Sequence, residues 1–187
     1  YCLSCKACNL LSVSSMHSFA LAECAKPEME RLRRLSGETV MLLLPEALGS
    51  RTILQLDSFE IVRLKDYTNE VTPLFGTSTG FVQLSFMDDA KIESIFPDTF
   101  PSYTEFTLTN RKDIMQRIHD CRRDGYSYIV DEFNNGDSGV SVPIQSGEKL
   151  AGILNISGPT MRFTKERMES CIPELKKSAS LISFNLS

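Results

Sequence analysis

The residues best suited to holding a metal are Cys2, Cys5 and Cys8, spaced Cys-x-x-Cys-x-x-Cys, with Cys24 available as a fourth thiolate. That spacing matches the first three ligands of a bacterial ferredoxin run. The ferredoxin pattern then wants a fourth Cys followed by Pro, where Ser12 and Val13 stand. Structural zinc sites usually pair two Cys-x-x-Cys knuckles, whereas Cys24 is single. On a helix, positions 2, 5 and 8 share one face with Leu11 close behind, and cysteine packs there as a small hydrophobe. Two readings follow: a metal or redox sensor built on Cys2, Cys5, Cys8 and Cys24, or an apolar helix face. The count of six, completed by Cys121 and Cys171, does not require disulfides at this length, and free thiols fit the cytoplasm.

Catalytic chemistry is harder to assemble. The two histidines are His17 and His119. His119 and Cys121 stand two apart on an expected helix, so they do not face each other. No Gly-x-x-x-x-Gly-Lys phosphate loop or His-Glu-x-x-His motif occurs. The acid pairs Asp88-Asp89 and Asp131-Glu132 read as helix caps and turns. The expectation is a protein that is not an enzyme, without cofactor or bound metal; an esterase-like activity would need a base beside a nucleophile.

The elements that position these residues can be read from periodicity. His17 to Leu35 carries Leu21, Ala25, Met29, Leu32 and Leu35 at helical steps, with Gly37 just past the end. Strands are expected over Glu38–Leu44, Thr52–Ser58 and Glu60–Tyr67. Thr77-Ser78-Thr79-Gly80 before Phe81, Val82 and Leu84 reads as a capped helix start. A short helix follows from Asp88 or Asp89 to Pro97, then an irregular stretch over Phe100–Leu108. Asn110 opens a helix with Ile114, Ile118 and Cys121 inward, ended by Gly125. Strands Tyr126–Phe133, Val140–Gln145 and Lys149–Ser157 follow, with turns at Asn134-Asn135-Gly136 and Ser146-Gly147. A last helix from Thr164 turns Met168, Ile172, Leu175, Ala179 and Ile182 inward, and Pro173 should kink or divide it.

Strand hairpins separated by runs of helices predict an α+β domain with a mostly antiparallel six-stranded sheet flanked by helices. In the last strand, Leu150, Leu154 and Ile156 should point to one face, and Ala151, Ile153, Asn155 and Ser157 to the other. Both faces begin apolar, so both should be covered. A buried Asn and Ser then need partners, from a ligand in a pocket or from a structural hydrogen-bond pair.

Composition narrows the class. The chain has 187 residues, 42% hydrophobic, with 20 Lys and Arg against 24 Asp and Glu, a net charge of −4. Disordered and collagen-like classes are excluded, and no stretch nears the roughly 18 apolar residues of a membrane span. The acidity argues against a surface made to neutralise phosphates.

The C-terminal third carries a recognisable succession. Arg122-Arg123-Asp124-Gly125-Tyr126 leads to Asp131-Glu132 with Gly136 beyond, then Val140-Ser141-Val142-Pro143-Ile144, and finally Ile156-Ser157-Gly158-Pro159 and Arg162-Phe163-Thr164. This order resembles the effector-binding domain of IclR-type bacterial transcriptional regulators. Tyr1-Cys2-Leu3-Ser4, Leu35-Ser36-Gly37-Glu38-Thr39-Val40 and the run from Thr72 to Gly80 resemble further segments of that family, so the likeness spans nearly the whole chain. It implies a GAF-like or profilin-like sheet and a small-molecule pocket on one face. It also implies dimers or tetramers and effectors that are often small carboxylates or aromatic acids. Residues 1–16 would end a linker from a winged helix-turn-helix that lies upstream and alone contacts DNA. Residues 17–187 would form the effector-binding domain of a cytoplasmic regulator.

The resemblance also implies a pocket lining. Ser78 and Thr79 would offer helix N-terminal amides to a carboxylate. Asn155 and Ser157 would replace a Ser-x-Ser pair on one strand face. Ile61 and Leu64 would form an apolar wall. Ile129 stands where many members carry Asp, Gly139 where they carry Cys or Ser, Phe75 in place of His and Phe81 in place of Lys. These changes predict a roomier, more apolar pocket for an organic acid or lactone-like effector.

Overall fold

A computed structural model describes the backbone of residues 5–186 and the side chains of residues 18–186. It begins with helix α1 (Cys5–Ser36), followed by strands β1 (Thr39–Glu46), β2 (Gly49–Leu56) and β3 (Val71–Pro73). Helices α2 (Ser78–Ser85), α3 (Asp89–Ile95) and α4 (Arg111–Asp124) come next. Strands β4 (Ser127–Val130), β5 (Asp137–Ser146) and β6 (Lys149–Pro159) precede helix α5 (Lys165–Asn185). The six strands form one antiparallel sheet in the order β3-β2-β1-β6-β5-β4. The expected α+β architecture with a six-stranded sheet is therefore present. The chain's two halves meet at its centre, where β1 pairs with β6.

The helices α1 and α5 cover one face. Leu21, Ala25, Met29 and Leu32 of α1 are fully buried against Val40, Leu42, Val142, Leu154 and Ile156 of the sheet and Met168, Cys171 and Leu175 of α5. Leu35 departs from expectation: it is exposed, and Ser36 is buried in its place, its hydroxyl donating to the Leu32 carbonyl. Spacing of 3.6 residues per turn brings position 36 rather than 35 under the 25-29-32 stripe. On α5, Cys171 is fully buried and Ile172 only partly. Pro173 does not divide α5, nor Pro27 α1. Pro173 lies on the exposed side with Glu169, whose carbonyl, left without its helical donor, is on the solvent side. A polar clamp ties the two helices, with Arg31 donating to Glu174 and Ser178, and Ser178 to Glu28.

The expected strand over Glu60–Tyr67 is not formed. Residues 57–70 are an irregular loop, and the edge place beside β2 is taken by Val71–Pro73, paired with Gly49–Arg51. The loop's end bonds to the Thr52 backbone, and side chains meet several of its other backbone groups. The Gln55 amide donates to the Lys65 carbonyl and accepts from the Tyr67 amide, while Asp66 accepts from the Thr68 amide. Strand β4 is also shorter than expected, because Asp131 adopts a left-handed φ of 57° and turns the chain. Leu150 changes face too. A register shift between Ile144 and Gln145 slips β6 by one residue, so Leu150 packs beside Ile153 rather than Leu154.

The second face is covered by α2 and α4, with Phe81, Leu84, Ile114 and Ile118 fully buried. Contact here is close. A Cβ on Gly80 would stand 2.0 Å from the Leu74 carbonyl oxygen, so α2 reaches the sheet edge only because position 80 has no side chain. Gly80→Ala should therefore destabilise the domain by about 3 kcal/mol. Gly147→Ala, at a hairpin φ of 60° with nothing within 4 Å, should cost about 1 kcal/mol. Urea unfolding of the two variants checks the ranking.

Candidate ligand-binding site

On the face covered by α2 the sheet carries two rows of small and polar side chains. One runs Ile129–Gly139–Ser157–Thr39 across β4, β5, β6 and β1, the other Ser127–Ser141–Asn155–Met41. Helix α2 begins directly above them. Thr77 is its N-cap, its hydroxyl accepting from the Gly80 amide at 3.0 Å and donating to the Pro73 carbonyl at 2.7 Å. The amides of Ser78 and Thr79, in the first turn, have no acceptor within the helix by position, and the positive end of the helix dipole lies there.

A compact hydrogen-bond cluster joins helix and sheet. Ser78 Oγ lies 2.8 Å from Ser141 Oγ. The Asn155 amide nitrogen donates to Ser141 Oγ at 2.9 Å and lies 3.3 Å from both Ser78 Oγ and the Val140 carbonyl. Asn155 Oδ1 accepts from Ser157 Oγ at 2.9 Å. The question left by the sequence, whether Asn155 and Ser157 have protein partners, is thereby answered: they do. Ser78, Asn155 and Ser157 also border a cavity of about 40 Å³, with Met41, Leu43, Leu64, Ile129, Phe133 and Tyr67 supplying most of the rest of its lining. Drug-sized ligands occupy several hundred Å³, so a ligand of more than a few atoms must displace wall side chains. Leu64 and Tyr67 belong to the loop held by Gln55, the part of the wall without ladder hydrogen bonds.

Of the residues named from sequence, Ser78, Thr79, Asn155, Ser157, Ile129 and Leu64 converge on this cavity. Gly139 lies beneath it. Ile61 does not contribute, being 94% exposed on the outside of the 57–70 loop; without a strand there, alternation does not carry it inward with Leu64. The roomier pocket is also not found. A Cβ on Gly139 would stand 2.3 Å from Ser157 Oγ, so the space that glycine frees is filled by the serine hydroxyl. Phe75 packs with Phe96 and Phe100, and Phe81 is in the same core with Arg117 over its ring, so neither lines the cavity. Of these four departures from the family pattern, Ile129 alone adds apolar surface to the cavity.

Several contributors escaped sequence reasoning, Ser141, Tyr67 and Asp137 among them. Ser141 was legible, since alternation from Gly139 puts it on the pocket face. Tyr67 comes from an irregular loop. Asp137 opens β5, on the same face as Gly139 and Ser141. Its Oδ1 is sealed from solvent without a hydrogen-bond partner, while Oδ2 accepts a long bond from Asn134. Burial, reinforced by the nearby Asp131 charge and only partly offset by Asn134, pushes its carboxyl up to about 7. Asp137 in turn helps burial to raise the Tyr67 hydroxyl.

A larger groove of about 440 Å³ lies between α4, α5 and β5. Its cations are already engaged: Arg122 donates to Ser85, Met87 and Asp89, and Lys176 to the Asp124 carbonyl. It offers a ligand less than the α2 cavity does. The four-cysteine reading falls mostly on Cys2, Cys5 and Cys8, whose side chains lie outside the described residues. Cys24 is half-buried near the Asn185 carbonyl, and no group of three metal-capable side chains occurs among the described residues.

Asp137 also generates a stability prediction. Its carboxyl binds a proton more tightly folded than unfolded, so the folded state is favoured while it is protonated and loses that advantage on ionisation. Stability should decline as pH rises from 3.8 towards about 7. Asp137→Asn should flatten this decline in thermal melts at stepped pH; an unchanged slope would show that other groups cause it.

Comparison with known proteins places the chain. A family model described as bacterial transcriptional regulator IclR C-terminal matches residues 13–184. The regulator KdgR of Escherichia coli is 28% identical over 94% of this chain and 68% of its own length. The repressor AllR of Escherichia coli is 28% identical over 83% of this chain and 58% of its own. The chain thus spans roughly two thirds or less of these curated relatives. The crystal structure of the KdgR C-terminal domain superposes with a TM-score of 0.77 at 26% identity, covering 89% of this chain and 98% of that one. An IclR homologue from Microbacterium hydrocarbonoxydans, complexed with 4-hydroxybenzoate, shares the fold with a TM-score of 0.82 at 21% identity, covering 90% and 69%. With the family model covering all but the ends, this chain belongs to the IclR family of bacterial transcriptional regulators, as its C-terminal domain.

Proposed function

We propose that this domain senses a small organic acid and that the cavity beneath α2 is where the acid binds. The observation that carries the reading is the convergence of the Ser78 and Thr79 amides, at a positive helix end, with the Asn155 and Ser157 side chains on one buried cavity. An anion there gains amide donors and the helix dipole together. The hydrogen bonds of Asn155 to Ser78 and Ser141, with Ser157 donating to Asn155, make helix position and ligand occupancy interdependent. An acid that takes a donor from this cluster shifts α2 relative to the sheet, and differential affinity for two α2 positions is what allows a ligand to change a distant activity. DNA contact belongs to a segment beyond this domain, in keeping with its net charge of −4. The 4-hydroxybenzoate held by a relative of the same fold supports an acid as the ligand class.

A thermal-shift screen of small organic acids, 4-hydroxybenzoate included, tests this. A ligand at a hundred times its dissociation constant adds about 2.7 kcal/mol, roughly 5–10 °C for a domain of this size. Asn155→Leu should lower the ligand-free melting point by the equivalent of about 1–3 kcal/mol and remove the ligand-induced shift. Retention of the full shift in that variant would refute the site.

A further inference from the structure

We infer that Asp137 makes the α2 cavity selective for acids that carry a second, hydrogen-bond-donating group, a hydroxyl or an ammonium, away from the carboxylate. The inference rests on the reading of the cavity as the effector site and goes beyond it by assigning the ligand's other end. Asp137 borders the cavity, and its Oδ1 is buried with no partner. A buried carboxylate oxygen without a donor is costly, and such atoms in folded proteins are usually satisfied. Its neighbours do not fill the need. Asn134 gives its amide to Oδ2 at 3.4 Å and to the Tyr67 hydroxyl at 3.2 Å. Asp131 is engaged by the Gly136 amide and Thr160, and is itself an anion. No Lys or Arg forms an ion pair with Asp137 among the described residues.

Strand geometry separates the two polar ends of the cavity. Asp137 and Ser141 share the pocket face of β5 four residues apart, about 13 Å at the usual rise per residue. Ser141 sits under Ser78 at the α2 N-terminus, where the acid group is placed. Ile129, Phe133 and Leu64 are among the apolar side chains of the cavity wall. The lining therefore offers donors and positive potential at one end and a donor-seeking carboxylate at the other, with apolar surface along the wall. A plain fatty or aryl acid leaves Oδ1 as it is; an acid with a remote hydroxyl or ammonium satisfies it. The upward-shifted carboxyl agrees, because a donor or cation beside Asp137 restores its ionised form near neutral pH.

The test uses matched probes on this domain by isothermal titration. These are pentanoate with its terminal hydroxyl and amino analogues, and phenylacetate with its para-hydroxyl and para-aminomethyl analogues. The wild type should bind at least one donor-bearing member about tenfold or more tightly than its plain parent. In Asp137→Leu that ratio should fall to about threefold or less, since the acceptor is gone. Asp137→Asn, which keeps the shape and carries the test if the leucine variant does not fold, should lose the ammonium preference. A wild-type ratio near one, or a preference that survives in these variants, overturns the role of Asp137. The cavity reading then stands if Asn155→Leu still removes binding. No binding by any of the six probes overturns both.

Discussion

The structure depends on the antiparallel pairing of β1 with β6 at the centre of the sheet. This pairing joins the first strand to the last and sets Met41 opposite Asn155 and Thr39 opposite Ser157. Without it the helices α1 and α5 would have no common sheet face, and the polar pair on β6 would sit at an edge in water. Contacts so distant in sequence are slow to form, because loop-closure entropy opposes them until the apolar faces on both sides are buried. The buried apolar runs of β1 and β6, covered on both faces, supply that driving force.

On that frame the site is made by what is missing as much as by what is present. Gly80 has no side chain, so α2 can press onto the Leu74 carbonyl and bring its N-terminus over the sheet. Gly139 has none either, and the Ser157 hydroxyl occupies the space. Ser78, Ser141, Asn155 and Ser157 then satisfy one another, a network that holds helix to sheet and can be perturbed by a ligand that competes for the same donors. The salt bridge of Glu38 to Arg162 ties the start of β1 to the end of β6, with Glu38 pressed against Gly158 where any side chain would collide.

Sequence reasoning read well wherever a local rule had no competitor. The capping run Thr77-Ser78-Thr79-Gly80 forms the helix start it resembles. Asn110 caps α4 and Gly125 ends it in the left-handed conformation. It failed where tertiary placement decided between equal local options. Apolar Ile61, Val62 and Leu64 could have formed a strand, but the edge beside β2 was taken by Val71–Pro73, and Ile61 faces solvent while Leu64 turns inward. Phe75 and Phe81 looked like pocket substitutions but belong to the aromatic core between α2 and α4. A bulge near Gly152, invisible in alternation, moved Leu150 to the other face.

By itself the sequence determined most of the succession of strands and helices, the caps of α2 and α4 and the strand face that carries Asn155 and Ser157, because these follow from side-chain period and capping chemistry. It also carried the order of segments that marks the family. Only the tertiary structure decided which of those residues share a cavity, how small that cavity is, and that Asp137 borders it with an oxygen left without a donor. Those outcomes depend on strand register and on close approach between elements far apart in the chain. Neither is encoded in the spacing of neighbouring residues.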